Sequence, residues 1–324
     1  MDTGIWKERK EQLSNTYSLA SGDKKLGVTI GIPAYNEQRR IGCLLRQVLN
    51  KNGFQVDKVI VSISGSTDGT QDEIIATIKR CKASSLIKII DKHERAGKAA
   101  ALDEILKACA SDIVIFVDAD VKLHDECFKE ILKPFLLDTS IGVVSGNVMP
   151  FNGDKEGLFS FISRLERQLH HELCLNLMRK EEAPKVNGTF FTVKKNVISH
   201  LPYRTVSDDE YISCCAQRKG YRVVYAPNAI VYTKDPDNCK DYIAKRRRIF
   251  TGHLLIRKNM GYTVPTTRIS EIIPSLFKFL IREKRRILDM FVMLYLQCVS
   301  YMLAIFDVVT GDIPYCYRVE SGKF

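Results

Sequence analysis

Ser111-Asp112-Ile113-Val114-Ile115-Phe116-Val117-Asp118-Ala119-Asp120 is the stretch that decides the fold. Five consecutive apolar residues, β-branched or aromatic, read as a strand buried on both faces. It ends on two carboxylates spaced i, i+2. Along an extended chain those positions share one face, so both side chains reach the same point. Two acids converging at the end of a buried strand suit a hard divalent cation such as Mg²⁺ or Mn²⁺, which commonly keeps positions open for substrate phosphates. The plainer alternative is a surface turn with two solvated acids.

Outward from this strand, apolar runs and helical periodicity alternate. Gly27–Ile32 is strand-like and stops at Pro33, and Ile41, Leu44, Leu45 and Val48 recur at helical spacing. Val59–Ile63 reads as a strand leading into the polar turn 64–70, with a helix on Ile74, Ile75 and Ile78 after it. Leu86–Ile90 reads as a strand and Gly97–Ala110 as a helix. This alternation predicts an α/β fold with a parallel sheet flanked by helices, and ligands bind such sheets at the carboxyl ends of the strands. The segments after the first, second and fourth strands should therefore meet at one edge. Later, 156–180 and the basic stretch 239–259 read as helices, Val186–Val193 as a strand kinked at Gly188, and 221–225 and 229–232 as short strands. Ser207-Asp208-Asp209-Glu210 reads as a helix start, with a capping serine and acids at the positive end.

The 324 residues allow one large α/β domain with an appendage, or two small domains. Formal net charge is +11, from 49 Lys+Arg against 38 Asp+Glu, which suits a phosphorylated ligand, anionic lipid or nucleic acid. No aromatic residues interleave the basic helix in the manner of a nucleic-acid site, so no nucleic-acid partner is expected. Ten cysteines lie without a Cys-x-x-Cys pair and read as reduced packing residues of a cytosolic protein. Met1–Lys7 lacks an apolar core, so no secretory signal is expected. From Met290 to Phe306 only Gln297 and Ser300 are polar. With the basic cluster 282–286 before it, this segment approaches the ~20 residues of a bilayer span; the alternative is a helix buried in the core.

Three more motifs join Asp118-Ala119-Asp120. Pro33-Ala34-Tyr35-Asn36-Glu37 follows the first strand, Gly65-Ser66-Thr67-Asp68-Gly69-Thr70 the second, and Gly97-Lys98-Ala99-Ala100-Ala101-Leu102 opens a helix whose start favours an anion. In this order and spacing they resemble the family 2 glycosyltransferases of GT-A fold over roughly residues 27–260.

The resemblance implies a GT-A fold, a Rossmann-like mixed sheet flanked by helices, with a C-terminal helical membrane-associated region. It divides the chain into an N-terminal extension (1–26), a catalytic domain (27–262) and a membrane-associated or transmembrane part (263–324). It implies inverting transfer of a sugar from a nucleotide-diphosphate sugar donor to a lipid-linked or glycan acceptor, with Mn²⁺ or Mg²⁺, in a cytoplasmic catalytic domain at a membrane surface or bilayer. It places Pro33, Ala34, Tyr35, Glu37, Ser64, Asp68, Lys98, Asp118 and Arg247 at the nucleotide sugar and Asp118 and Asp120 at the metal. Asp209 would be the catalytic base, with Asp208 beside it and Arg248 at the leaving diphosphate. Two departures stand out. The acidic pair that often precedes the Gly-Ser-Thr-Asp-Gly-Thr turn is Ile63-Ser64, which puts uridine recognition in question. Lys245 and Ile249 replace the Gln and Trp of the Q-x-x-R-W motif, which argues for transfer of one sugar rather than polymerisation. Tyr317–Ser321 weakly resembles a terminal segment of membrane-linked members. The rival readings are a nucleotidyltransferase and a catalytically inactive sugar-nucleotide-binding scaffold.

Overall fold

The computed structural model describes residues 26–50, 55–151, 157–313 and 315; the expected N-terminal extension up to residue 25 and the segment 317–321 lie outside them. Among the described residues, eight strands form one mixed sheet. In chain order they are β1 (Val28–Ala34), β2 (Lys58–Ser64), β3 (Ile87–Lys92), β4 (Ile113–Val117), β5 (Val121–Leu123), β6 (Ile141–Pro150), β7 (Phe190–Lys194) and β8 (Arg222–Thr233). The spatial order is β3-β2-β1-β4-β7-β6-β8-β5.

The first half is the parallel sheet that the alternation predicts, with β2, β1 and β4 side by side. It becomes mixed at β7, which pairs antiparallel with both β4 and β6. All five residues of β4 are buried, as its unbroken apolar run requires. Helices α1 (Ile41–Leu49), α2 (Thr70–Arg80) and α4 (Cys127–Leu137) lie on one side of the sheet, and α3 (Lys98–Ala108) and α6 (Asp208–Arg218) help cover the other. Gly31 lets α3 approach closely: a Cβ there would stand 2.6 Å from Ile105 Cγ2 and 3.1 Å from the Phe116 ring.

Three local expectations change. The strand expected over 186–193 begins only at Phe190, because the backbone of 186–188 bonds to side chains instead of a ladder. The Val186 and Gly188 carbonyls accept from Lys185 and Lys98, and the Asn187 and Gly188 amides donate to Ser145 and Asp209. The two short strands expected after 221 are one strand, β8, which passes through Pro227 at an irregularity where Asn147 Nδ2 donates to the Pro227 carbonyl. The strand β6 had no assignment from pattern, since Gly142 and Gly146 interrupt its apolar run. The nine described cysteines are unpaired.

Four further α-helices are α5 (Leu158–Arg179), α7 (Cys239–Met260), α8 (Ile269–Arg282) and α9 (Ile287–Thr310), with short 3-10 turns at Pro265–Thr267 and Lys284–Arg286. By length and composition, α9 is able to cross a membrane. One face of it is committed to protein. Met290, Met293 and Leu296 share a buried cluster with Phe161, Ile162 and Leu165 of α5, Tyr242 of α7 and Phe279 of α8. Near its end, the 1% exposed carboxylate of Asp307 accepts both fork nitrogens of Arg247 on α7, Nε at 2.7 Å, and the Thr251 hydroxyl at 3.2 Å. Only the Asp307 end of this pair is buried, since Arg247 is 35% exposed and keeps water when its partner is removed. Asp307→Ala should therefore lower unfolding stability by about 1–2 kcal/mol, the scale of lost hydrogen bonds to a charged group, checked by urea denaturation against a Thr310→Ala control on the same helix.

Candidate active site

The loops after β1, β2 and β4 do meet at one sheet edge, and the turn 65–70 clamps the loop 33–37. Asn36 takes a left-handed backbone (φ +54°). Its amide donates to Ser66 Oγ at 3.1 Å, and its side-chain oxygen accepts from the Thr67 amide at 2.8 Å. The Glu37 amide donates to Thr70 Oγ1 at 2.8 Å. Asp68 accepts from the Gln38 and Thr70 amides.

A cavity of about 240 Å³ opens at this edge. Of the residues expected from sequence, Pro33, Ala34, Tyr35, Glu37, Ser64, Lys98, Asp118, Asp120, Asp208 and Arg248 line it. Asp68 does not, since its carboxylate is spent on the turn. Arg247 does not either: one residue along a helix turns the side chain by ~100°, which sends Arg248 to the cavity and Arg247 to Asp307. Pattern reading passed over Arg95, whose guanidinium lies 4.0 Å from the Tyr35 ring centroid and lines the cavity with it. Ser64 is buried and accepts from the Ala96 amide at 2.9 Å, so it holds the loop that carries Arg95. Gly97, at φ +85°, turns that loop into α3.

Lys98 is the first residue of α3. Its ammonium lies 2.6 Å from Asp118 Oδ1 and donates to the Gly188 carbonyl at 2.9 Å. Burial works against its charge, but Asp118 and Asp208 outweigh it and raise the pKa. Glu37 and Asp120 share the neighbourhood of Asp118 with Arg40, which lies 3.5 Å from Glu37 and 3.6 Å from Asp120. Burial first, then the charge of Asp120, push Glu37 up to about 8, and burial with Asp118 raises Asp120. Carboxylates held this close are short of positive charge. Among the described residues, no set of three or more His, Cys, Asp or Glu side chains could hold an ion alone. The donor set therefore fits a hard divalent ion shared with a ligand's phosphate oxygens, not one caged by protein.

The acids at the start of α6 have divergent surroundings. Asp209 Oδ2 accepts from the Gly188 amide at 3.1 Å and meets Lys185 Nζ at 3.3 Å; Oδ1 accepts from Ser207 Oγ and the Glu210 amide. Burial alone would raise it, but Lys185 and these donors hold it at about 2. Asp208 is buried, faces the cavity, and leaves Oδ2 without a hydrogen-bond partner among the described residues. Burial raises it to about 6 against the pull of Lys98. Of the two acids, Asp208 lines the cavity, while Asp209 is turned to Lys185 and Gly188. Asp209 belongs to a supporting layer. There Lys185 also meets the fully buried Glu210 at 3.1 Å, and burial drives His253 down to about 3, keeping it neutral. No motif in Pro184-Lys185-Val186-Asn187 announced this lysine. Lys185→Met would strip two buried carboxylates of their shared cation and should cost about 3 kcal/mol of stability, read as a lower urea midpoint at neutral pH.

The family model described as "Glycosyltransferase like family 2" matches residues 26–252. Among curated relatives, the poly-beta-1,6-N-acetyl-D-glucosamine synthase of Staphylococcus aureus is 24% identical over 255 residues, 76% of this chain and 59% of that protein. Its Staphylococcus epidermidis counterpart is 22% identical over 253 residues, 75% of this chain and 59% of that one. The chain thus spans 59% of the length of these relatives. Among solved structures, a mannosyltransferase from Pyrobaculum calidifontis in complex with GDP-Man and Mn²⁺ aligns with TM-score 0.58 and 17% identity, over 95% of this chain and 84% of that one. Glucosyl-3-phosphoglycerate synthase from Mycobacterium tuberculosis, in complex with Mn²⁺, UDP and phosphoglyceric acid, aligns with TM-score 0.50 and 20% identity, over 72% of this chain and 79% of that one. The fold is of the GT-A type.

Proposed function

The chain belongs to the family 2 glycosyltransferases, and from that premise we propose that it moves one sugar from a nucleoside-diphosphate sugar to a hydroxyl or phosphate acceptor, glycan or lipid-linked, at a membrane surface. The single observation that carries the reading is the cavity edge itself. Asp208, with a free oxygen and a pKa of about 6, faces the same space as Lys98, Arg248 and the Asp118/Asp120 couple.

Pro33, Ala34, Tyr35 and Arg95 form the wall against which the nucleoside would lie. Asp118 and Asp120 would hold Mn²⁺ or Mg²⁺ together with the donor diphosphate, with Glu37 beside them. Bound there, the ion would neutralise charge on the departing diphosphate. Asp208 takes the proton from the acceptor hydroxyl as that oxygen attacks the anomeric carbon. The bond from that carbon to the diphosphate oxygen breaks on the opposite face, so configuration inverts. Lys98 and Arg248 receive the negative charge that develops on the leaving group. Asp209, held by Lys185 and Gly188, fixes the start of α6 so that Asp208 stays within reach of the acceptor.

Transfer of one sugar, rather than polymerisation, is supported by the basic helix α7. Ile249 offers no aromatic face to a growing chain. Lys245 is occupied by Asp235 at 2.5 Å, alongside Arg167. The chain's division into a catalytic part and a C-terminal helical part at the membrane belongs to this proposal.

Asp208→Asn should cut transfer by about 10²–10⁴-fold, the usual worth of a general base, while the donor Kd moves only a few-fold by calorimetry. Wild-type kcat/KM should fall as pH drops through about 6, because protonated Asp208 is no base; a pH profile flat between 5 and 8 would contradict the assignment. Asp120→Ala should abolish the Mn²⁺-dependent part of donor binding in the same calorimeter, with the fold intact by circular dichroism.

A further inference from the structure

The outer face of α8 and α9 is apolar, continuous and unmatched by any described part of the chain. Ile273, Phe277 and Ile281 project from α8 at helical spacing and are 55–63% exposed. Leu288, Phe291 and Tyr295 do the same on α9 at 64–79%, and the stripe continues to Val309. The exposed positions of α9 carry no charge. Both acidic residues of that helix turn to protein instead, Asp289 to Arg286 and Asp307 to Arg247. Midway, Gln297 Nε2 donates to Glu166 of α5 at 3.0 Å.

These contacts decide how the helix meets a bilayer. A helix of 24 residues is ~36 Å long, enough to cross a hydrocarbon core of ~30 Å. Here α9 runs beside α7 over most of that length, with Gln297 near Tyr242, Tyr301 on Phe250 and Asp307 on Arg247 and Thr251. A transmembrane α9 would drag Lys245, Arg246, Arg247 and Arg248 into hydrocarbon, which charged side chains resist strongly. A helix with one face packed on protein and the other apolar lies in the plane of the interface. Exposed Lys278 on α8 and Arg285 between the helices flank the stripe and match anionic headgroups.

We propose that α8 and α9 form a surface platform that seats the enzyme on an anionic bilayer, with α9 lying in the headgroup plane instead of spanning. This deepens the membrane attachment proposed above and is independent of the transfer chemistry. The full chain should co-sediment with vesicles of phosphatidylcholine containing about one third phosphatidylglycerol, at several-fold higher yield than with phosphatidylcholine alone. Alkaline carbonate should release it. The exposed double variant Phe291→Ser/Tyr295→Ser should lose most of that binding while keeping its circular dichroism spectrum. Resistance to carbonate would overturn the in-plane geometry but leave membrane attachment standing. Absence of vesicle binding would overturn both. A concentration-dependent dimer, abolished by the double variant and seen without vesicle binding, would assign the face to a second copy of the chain. Unchanged binding by the folded variant would remove this face from the contact.

Discussion

The ammonium of Lys98 is the contact on which the arrangement of the site depends. It joins three pieces of chain that the sequence keeps apart: the start of α3, the acid at the end of β4, and the turn at Gly188. Gly188 in turn donates to Asp209 at the head of α6. The half of the sheet edge that would bind donor and the half that would handle acceptor are thereby fixed to each other through one cation and one glycine. A Cβ at Gly188 would press against the Asp209 carboxylate at 3.3 Å, so the residue is small because the junction is tight.

What the sequence displayed and what it hid follow from the range of the interactions. The strand 113–117 and the four motifs were legible because each is local: a buried strand needs an apolar run, a clamped turn needs Ser, Thr and Asp, and a helix start at a phosphate needs Gly and Lys. The choice between Asp208 and Asp209 was not local. Both begin the same helix, and which one enters the cavity is set by Lys185 and Gly188, about twenty residues away in a segment without pattern. Arg247 and Arg248 pose the same problem. Adjacent arginines look equivalent in a list, and only the docking of α9 separates a structural residue from a cavity residue. The strand β6 was hidden by its own glycines, one of which makes room for the Phe190 ring.

Charge is distributed with similar economy. Asp235, far below its ordinary range, answers both Arg167 and Lys245 against the cost of burial. Lys185 answers Asp209 and Glu210. At the cavity, Glu37 and Asp120 are raised by burial and like charge, and Asp208 keeps an oxygen without a partner among the described residues. Burial also raises Glu210, which does not line the cavity, to about 7. Perturbed acids thus mark both the site and the layer that supports it.

The α7 helix carries a final consequence. Its neighbouring residues 247 and 248 face opposite obligations, one gripping the apolar layer and the other projecting toward the pocket. Any displacement of α9 would therefore pass through the Asp307 fork to a point one peptide away from Arg248, which lines the cavity, so the seating of the outer helix and the placement of a pocket cation are set by the same short piece of chain.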